Sequence, residues 1–138
     1  MQFWLIKSEP SSWSWQDQLD AAEAGTYWDG VRNYQASNNM KAMKNGDRCF
    51  FYHSVKEKSI VGVVEVIREY YPDHTDETGR FGMVDVKAIE TMPTPVSLAQ
   101  IKAEEKLGNL ALLRQSRLSV VPIDRASWDL ICEMGNLK

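Results

Sequence analysis

Ser59-Ile60-Val61-Gly62-Val63-Val64-Glu65-Val66-Ile67-Arg68-Glu69-Tyr70 decides the fold class. Its β-branched residues suit a pleated, half-buried surface, so the stretch predicts one long strand. The segments on either side read the same way. Arg48 to His53 places Cys49 and Phe51 on one face and Phe50 and Tyr52 on the other. Arg80 to Thr91 sends Val84, Val86 and Ala88 one way and Asp85 and Lys87 the other. A polar, turn-like stretch, Pro72 to Gly79, lies between the long strand and this one, and Pro93 and Pro95 are expected to end the latter.

Working outward, Phe3 to Lys7 predicts a first strand, ended by Ser8-Glu9-Pro10. Ser14 to Ala24 predicts a helix stopped by Gly25. Trp28 to Arg32, with its Asp29-Gly30 turn signal, reads as a loop. Asn33 then caps a helix to Lys44, along which Ala36, Met40 and Met43 recur at helical spacing. Asn45-Gly46 is a turn. Ser97 caps a helix to about Lys106, with Leu98 and Ile101 facing the core, and a helical turn covers Leu110 to Gln115. Arg117 to Ile123 is the last strand, and Asp124 caps a final helix whose Trp128, Ile131 and Met134 share a face. Strands and helices are mixed without a βαβ alternation. That pattern predicts an α+β fold on a mostly antiparallel sheet, able to curl into a small barrel of about five to six strands flanked by helices.

The 138 residues suit a single domain, 1–138, with one core. No apolar run approaches the ~18 residues of a membrane span, and the first residues read as a core strand rather than a signal peptide, so a cytoplasmic protein is expected. Cys49 and Cys132 lie among apolar neighbours, and His53 and His74 are far apart. No metal and no cofactor is expected. A net charge of −3 argues against binding led by phosphates, so any nucleic acid must be held through a pocket and a local patch.

Trp28-Asp29-Gly30-Val31-Arg32-Asn33-Tyr34-Gln35-Ala36 carries more polar recognition groups than folding requires. Together with Lys7-Ser8-Glu9-Pro10, Phe50-Phe51-Tyr52-His53-Ser54 and Arg114-Gln115-Ser116-Arg117-Leu118-Ser119-Val120-Val121-Pro122, it resembles the EVE domain family over nearly the whole chain. Tyr71-Pro72-Asp73 and Trp128 agree with that resemblance. It implies a PUA-like fold, related in shape to YTH and ASCH domains. It also implies a module that reads a modified base, above all a modified cytosine in DNA, without chemistry.

A flipped base needs an aromatic wall and groups matching its edge. The resemblance to YTH domains makes Trp28 the first choice of wall, with Trp13 and Tyr70 or Tyr71 as further candidates; Trp4, Trp15 and Trp128 read as core. Ser8, Glu9, Asp29 and Asn33 are candidates for reading the edge, Asp29 by accepting from an exocyclic amine. Tyr34, His53, Ser54 and Ser119 complete the candidate pocket. His53 and Ser54 are strand neighbours that point to opposite faces, which does not suit a nucleophile–base pair. Lys7, Arg32, Lys41, Arg114 and Arg117 are candidates for phosphate contact; Lys41 and Lys44 lie on a helix face where lysines are usually just solvated. The expected partner is DNA or RNA carrying a modified base. Two alternatives remain open: an enzyme using Glu9, Asp29 or His53 as acid or base on a modified nucleotide, and a small-metabolite pocket.

Overall fold

The computed structural model describes residues 1–55 and 57–137. Among these, six strands form one sheet: β1 (Phe3–Ser8), β2 (Thr26–Tyr27), β3 (Arg48–His53), β4 (Ser59–Pro72), β5 (Gly82–Ser97) and β6 (Val120–Ile123). The helices are α1 (Trp15–Asp20), α2 (Tyr34–Ala42), α3 (Leu98–Ala103), α4 (Ala111–Arg114) and α5 (Arg125–Met134). The spatial order is β2-β5-β4-β3-β1-β6. Only β1 and β3 run parallel, from Phe3 opposite Arg48 to Ser8 opposite His53; the other pairs are antiparallel. The expected α+β architecture on a mostly antiparallel sheet is thus observed.

The middle of the sheet is covered on both faces, which is why β1 and β3 read as nearly unbroken apolar runs. On one face Phe50 stacks on Trp128 of α5, centroids 3.8 Å apart, and Phe3 stacks on the same indole at 4.6 Å. On the other, Phe51 meets the edges of Trp15 at 5.1 Å and Trp28 at 5.6 Å. Full burial of each such ring contributes roughly 1.5–3 kcal/mol. Gly62 of β4 makes room here, because a Cβ at this position would strike the Trp15 indole.

The sheet is open, with β2 and β6 as its two edges. Among the described residues no pairing joins β2 to β6. Instead α2 packs against β6, β4 and β5. Asn39 Nδ2 donates to the Val120 carbonyl at 2.8 Å, and the Ser37 and Tyr70 hydroxyls lie 3.1 Å apart. The caps read from sequence are present: Asn33 Oδ1 accepts the Ala36 N–H, Ser97 forms a capping box with Gln100, and Asp124 accepts from Ser127.

Three local expectations are corrected. Pro93 and Pro95 do not end β5, which runs on to Ser97. They sit where the β4 register jumps from Gly62–Thr91 to Ile60–Val96, so neither proline is asked for a ladder N–H. Thr94 N–H turns away to the Gly135 carbonyl at 3.0 Å. The helix predicted from Ser14 to Ala24 stops at Asp20 and continues only as a 3₁₀ turn, Ala22–Ala24. The last strand begins at Val120, after a turn at Ser116–Arg117.

Candidate functional site

Where β1 leaves the sheet, Pro10 forces a tight reversal. The Ser12 and Trp13 N–H groups both donate to the Glu9 carbonyl at 2.9 Å, and Ser8 Oγ donates to the Trp13 carbonyl. Trp13 is thereby folded back over the strand end. Its indole Nε1 donates to Gln18 Oε1 at 3.0 Å, and Gln18 Nε2 donates to the Val86 carbonyl at 3.3 Å. Gln18 is fully buried, so this one carboxamide fixes the Trp13 ring against β5.

A second strip faces that reversal. Gly25, at φ 68°, passes so close to the Val86 carbonyl that a Cβ would not fit. β2 then pairs with β5, and the Trp28 N–H donates to the Val84 carbonyl at 2.7 Å. Between the two strips lies a cavity of about 360 Å³, within the size range of small-ligand sites. Lys7, Ser8, Glu9, Ser12 and Trp13 line one side, and Thr26, Tyr27, Trp28 and Asp29 the other. A larger hollow of about 530 Å³ against β6 has no aromatic ring in its lining.

The loop carrying Trp28 and Asp29 is anchored from behind by Asp73, whose side chain is fully buried. Its Oδ2 accepts the Gly30 N–H at 2.9 Å and Arg32 NH1 at 3.1 Å, while Oδ1 accepts the Thr75 N–H and hydroxyl. Burial pushes this carboxyl up, but the hydrogen bonds from Thr75, Gly30 and Arg32 outweigh burial and hold it at about 2. The Asp29 carboxylate is exposed at the cavity mouth and accepts no hydrogen bond from the described residues. Lys7 Nζ donates to the Ser116 carbonyl at 2.8 Å, and partial burial lowers its pKa.

The structure therefore gathers Lys7, Ser8, Glu9, Trp13, Trp28 and Asp29 of the candidates around one cavity. The others lie outside its lining. Asn33 caps α2, and Tyr34 stands exposed against Phe81 at 4.9 Å. His53 Nε2 accepts the Trp15 N–H at 3.0 Å, and its Nδ1 faces Glu57 at 3.2 Å, so both ring nitrogens are engaged. The Ser54 N–H donates to the Ser8 carbonyl, and the Ser119 carbonyl accepts the Lys7 N–H, so these two steady the strand end through backbone. Tyr70 reaches Ser37. Tyr71 donates to Asp85 beneath the Arg68 guanidinium; burial and then that hydrogen bond push its hydroxyl up to about 12. Arg32 is committed to Asp73 and Thr75, Lys41 lies over the Tyr70 ring, and Arg114 donates to Asn109. Arg117 is exposed on the turn next to Ser116.

Sequence reasoning did not find Ser12, Thr26 and Tyr27, nor the supports Gln18 and Asp73. Asp73 carried a signal, in Tyr71-Pro72-Asp73; β2 is two residues long and carried none. The lining offers two indoles, hydroxyls, carboxylates and one ammonium, groups of the kind that bind a flat, polar ligand.

Human thymocyte nuclear protein 1 is 34% identical to this chain over 163 residues, spanning 95% of the chain and 72% of the relative. The solved structure of that human protein, THYN1, in complex with DNA containing 5-methylcytosine aligns with a TM-score of 0.93 at 32% identity, covering 100% of this chain and 99% of that one. The crystal structure of a protein from Agrobacterium tumefaciens aligns at 0.97 with 47% identity, covering 99% and 94%. The Mmi1 YTH domain, at 10% identity and a TM-score of 0.58 over 98% of this chain and 88% of that one, shares the fold alone. The EVE domain profile matches residues 2–134, from ahead of β1 to the end of α5. With fold, length and sequence in agreement, the chain belongs to the EVE domain family.

Proposed function

We propose that this protein binds nucleic acid carrying a modified base, a modified cytosine in DNA above all, with that base turned out of its strand into the cavity between Trp13 and Trp28. The cavity is the observation that carries the reading: two indoles and a polar rim stand around a hollow sized for a small flat ligand. The relative solved with 5-methylcytosine DNA supports it. A net charge of −3 fits recognition led by a pocket. Ser8, Ser12, Thr26, Glu9 and Asp29 supply donors and acceptors for a base edge. Lys7, which lines the cavity, and Arg117, which follows the residue that Lys7 bonds, are the groups for phosphate contact. Recognition proceeds without chemistry. We place the protein in the cytoplasm.

The test is binding of short oligonucleotides that carry one cytosine, 5-methylcytosine, 5-hydroxymethylcytosine or N6-methyladenine, measured by fluorescence anisotropy. One modified base should bind at least about tenfold tighter than its parent. Trp13→Ala should weaken binding of that oligonucleotide, because stacking on an aromatic ring contributes about 1–3 kcal/mol per base. Equal, weak binding of all four sinks the reading. Free nucleosides binding as tightly as oligonucleotides would point to a small-molecule site instead.

A further inference from the structure

Asp29 is held in place yet has nothing to do in the free protein. The residue before it is fixed to the sheet by the Trp28 N–H on the Val84 carbonyl, and the residue after it by the Gly30 N–H on buried Asp73. Gly30 takes φ 81°, a left-handed conformation that turns the chain sharply after Asp29. Asp29 is exposed in the cavity lining, and its carboxylate has no hydrogen-bond partner among the described residues. The other carboxylate in the lining, Glu9, accepts from Ser11 at 3.1 Å. The lining cation, Lys7, already donates to Ser116. An acceptor fixed on both sides and left unpaired is poised for a donor on the ligand.

This matters for which base the cavity accepts. Thymine carries the same kind of 5-methyl group as 5-methylcytosine, so a hollow shaped for the methyl group alone does not separate the two. They differ at position 4, where cytosine presents an amine that donates and thymine a carbonyl that accepts, and at N3, where cytosine accepts and thymine donates. The O2 carbonyl is common to both, so a donor facing that atom does not discriminate. An ionised carboxylate only accepts. Facing the amine it gains a charge-assisted hydrogen bond; facing the thymine carbonyl it meets another acceptor. We infer that Asp29 is the specificity-determining residue that makes the cavity take amine-bearing bases and refuse thymine. This rests on the modified-base reading given above.

The experiment uses single-stranded oligonucleotides, so that pairing strength does not enter, each carrying 5-methylcytosine, cytosine or thymine at one position. Binding is compared for the wild-type protein, Asp29→Asn and Asp29→Ala. Asp29 is exposed, so all three proteins should share one thermal midpoint. The wild type should prefer 5-methylcytosine to thymine by at least about tenfold. Asp29→Asn, whose carboxamide both donates and accepts, should bring that ratio to within about threefold by gaining thymine affinity. Asp29→Ala should lose 5-methylcytosine affinity without gaining thymine. If the wild type keeps its preference for 5-methylcytosine over cytosine and Asp29→Asn leaves the thymine ratio unchanged, the role of Asp29 is overturned while the modified-base reading stands. If the wild type shows no preference among the three bases, the reading itself fails and takes this inference with it.

Discussion

The buried carboxylate of Asp73 accepts the Gly30 N–H at 2.9 Å and so ties the loop after β4 to the loop that carries Trp28 and Asp29. Four donors converge on this one side chain, from Gly30, Arg32 and Thr75. Asp73→Asn keeps the size but loses the charge and half the acceptor capacity. It should destabilise the protein by about 1–3 kcal/mol in urea denaturation. It should also raise amide exchange at Gly30 and its neighbours well before exchange in the core of β3.

The same carboxylate sets an acid limb. Its pKa is depressed in the fold, to about 2 from an ordinary 3.8. A depressed acid contributes stability that is fully present above the unfolded pKa and is lost as pH falls through the folded one. Asp73 therefore supplies about 2 kcal/mol at neutral pH, and this drains away between about pH 4 and 2. Asp73→Asn should show a shallower loss of stability across that window. An unchanged slope would mean that other carboxylates carry the acid response.

Trp28 lines the cavity but is only 8% exposed and packs edge-on against Phe51. Trp28→Ala should cost about 3–5 kcal/mol of stability, so weaker binding by that variant alone would be ambiguous. Trp13 is half-buried, and Trp13→Ala should weaken binding at a smaller cost in folding. Thermal midpoints and oligonucleotide affinities measured on both variants should fall in opposite proportion.

Gln18 holds the Trp13 indole and the Val86 carbonyl with one buried carboxamide. Gln18→Leu would strand both polar partners. A destabilisation of about 1–3 kcal/mol is expected, together with a broader Trp13 fluorescence response. Gln18→Glu restores the acceptor but not the donor, and should recover Trp13 ordering only in part.

Gly62→Ala should be a damaging substitution in the sheet, because the added methyl group pushes into the Trp15 ring between α1 and β4. Overpacking of this kind costs about 1–3 kcal/mol. Pairing it with Trp15→Phe should recover part of the loss, and strictly additive effects would show that the two residues are not in contact.

Much of the architecture was legible because periodicity and caps are local. β3 fell on its predicted residues, and Asn33, Ser97 and Asp124 announced their helices by side-chain chemistry. The run of β5 through Pro93 and Pro95 was not legible, since it depends on a register jump and on a carbonyl from Gly135, far along the chain. The cavity shows the same division. Ser8, Glu9, Trp13, Trp28 and Asp29 stand where a strand end and a loop announce exposed groups. Residue type says nothing of direction, however. Tyr34, Tyr70, Tyr71 and His53 are as polar-aromatic as the lining residues, yet their partners are Phe81, Ser37, Asp85 and Trp15.

The place of β1 bears on how the chain assembles during synthesis. It is an inner strand, hydrogen-bonded to β3 on one side and to β6 on the other. The first partner follows soon after it, but the second begins only at Val120. A nascent chain that has completed β5 still shows one bare edge of β1, a template for the wrong neighbour. Closure by such distant segments is entropically slow, so ribosome-bound fragments ending before Val120 should resist proteolysis less than the finished chain and associate more readily with one another.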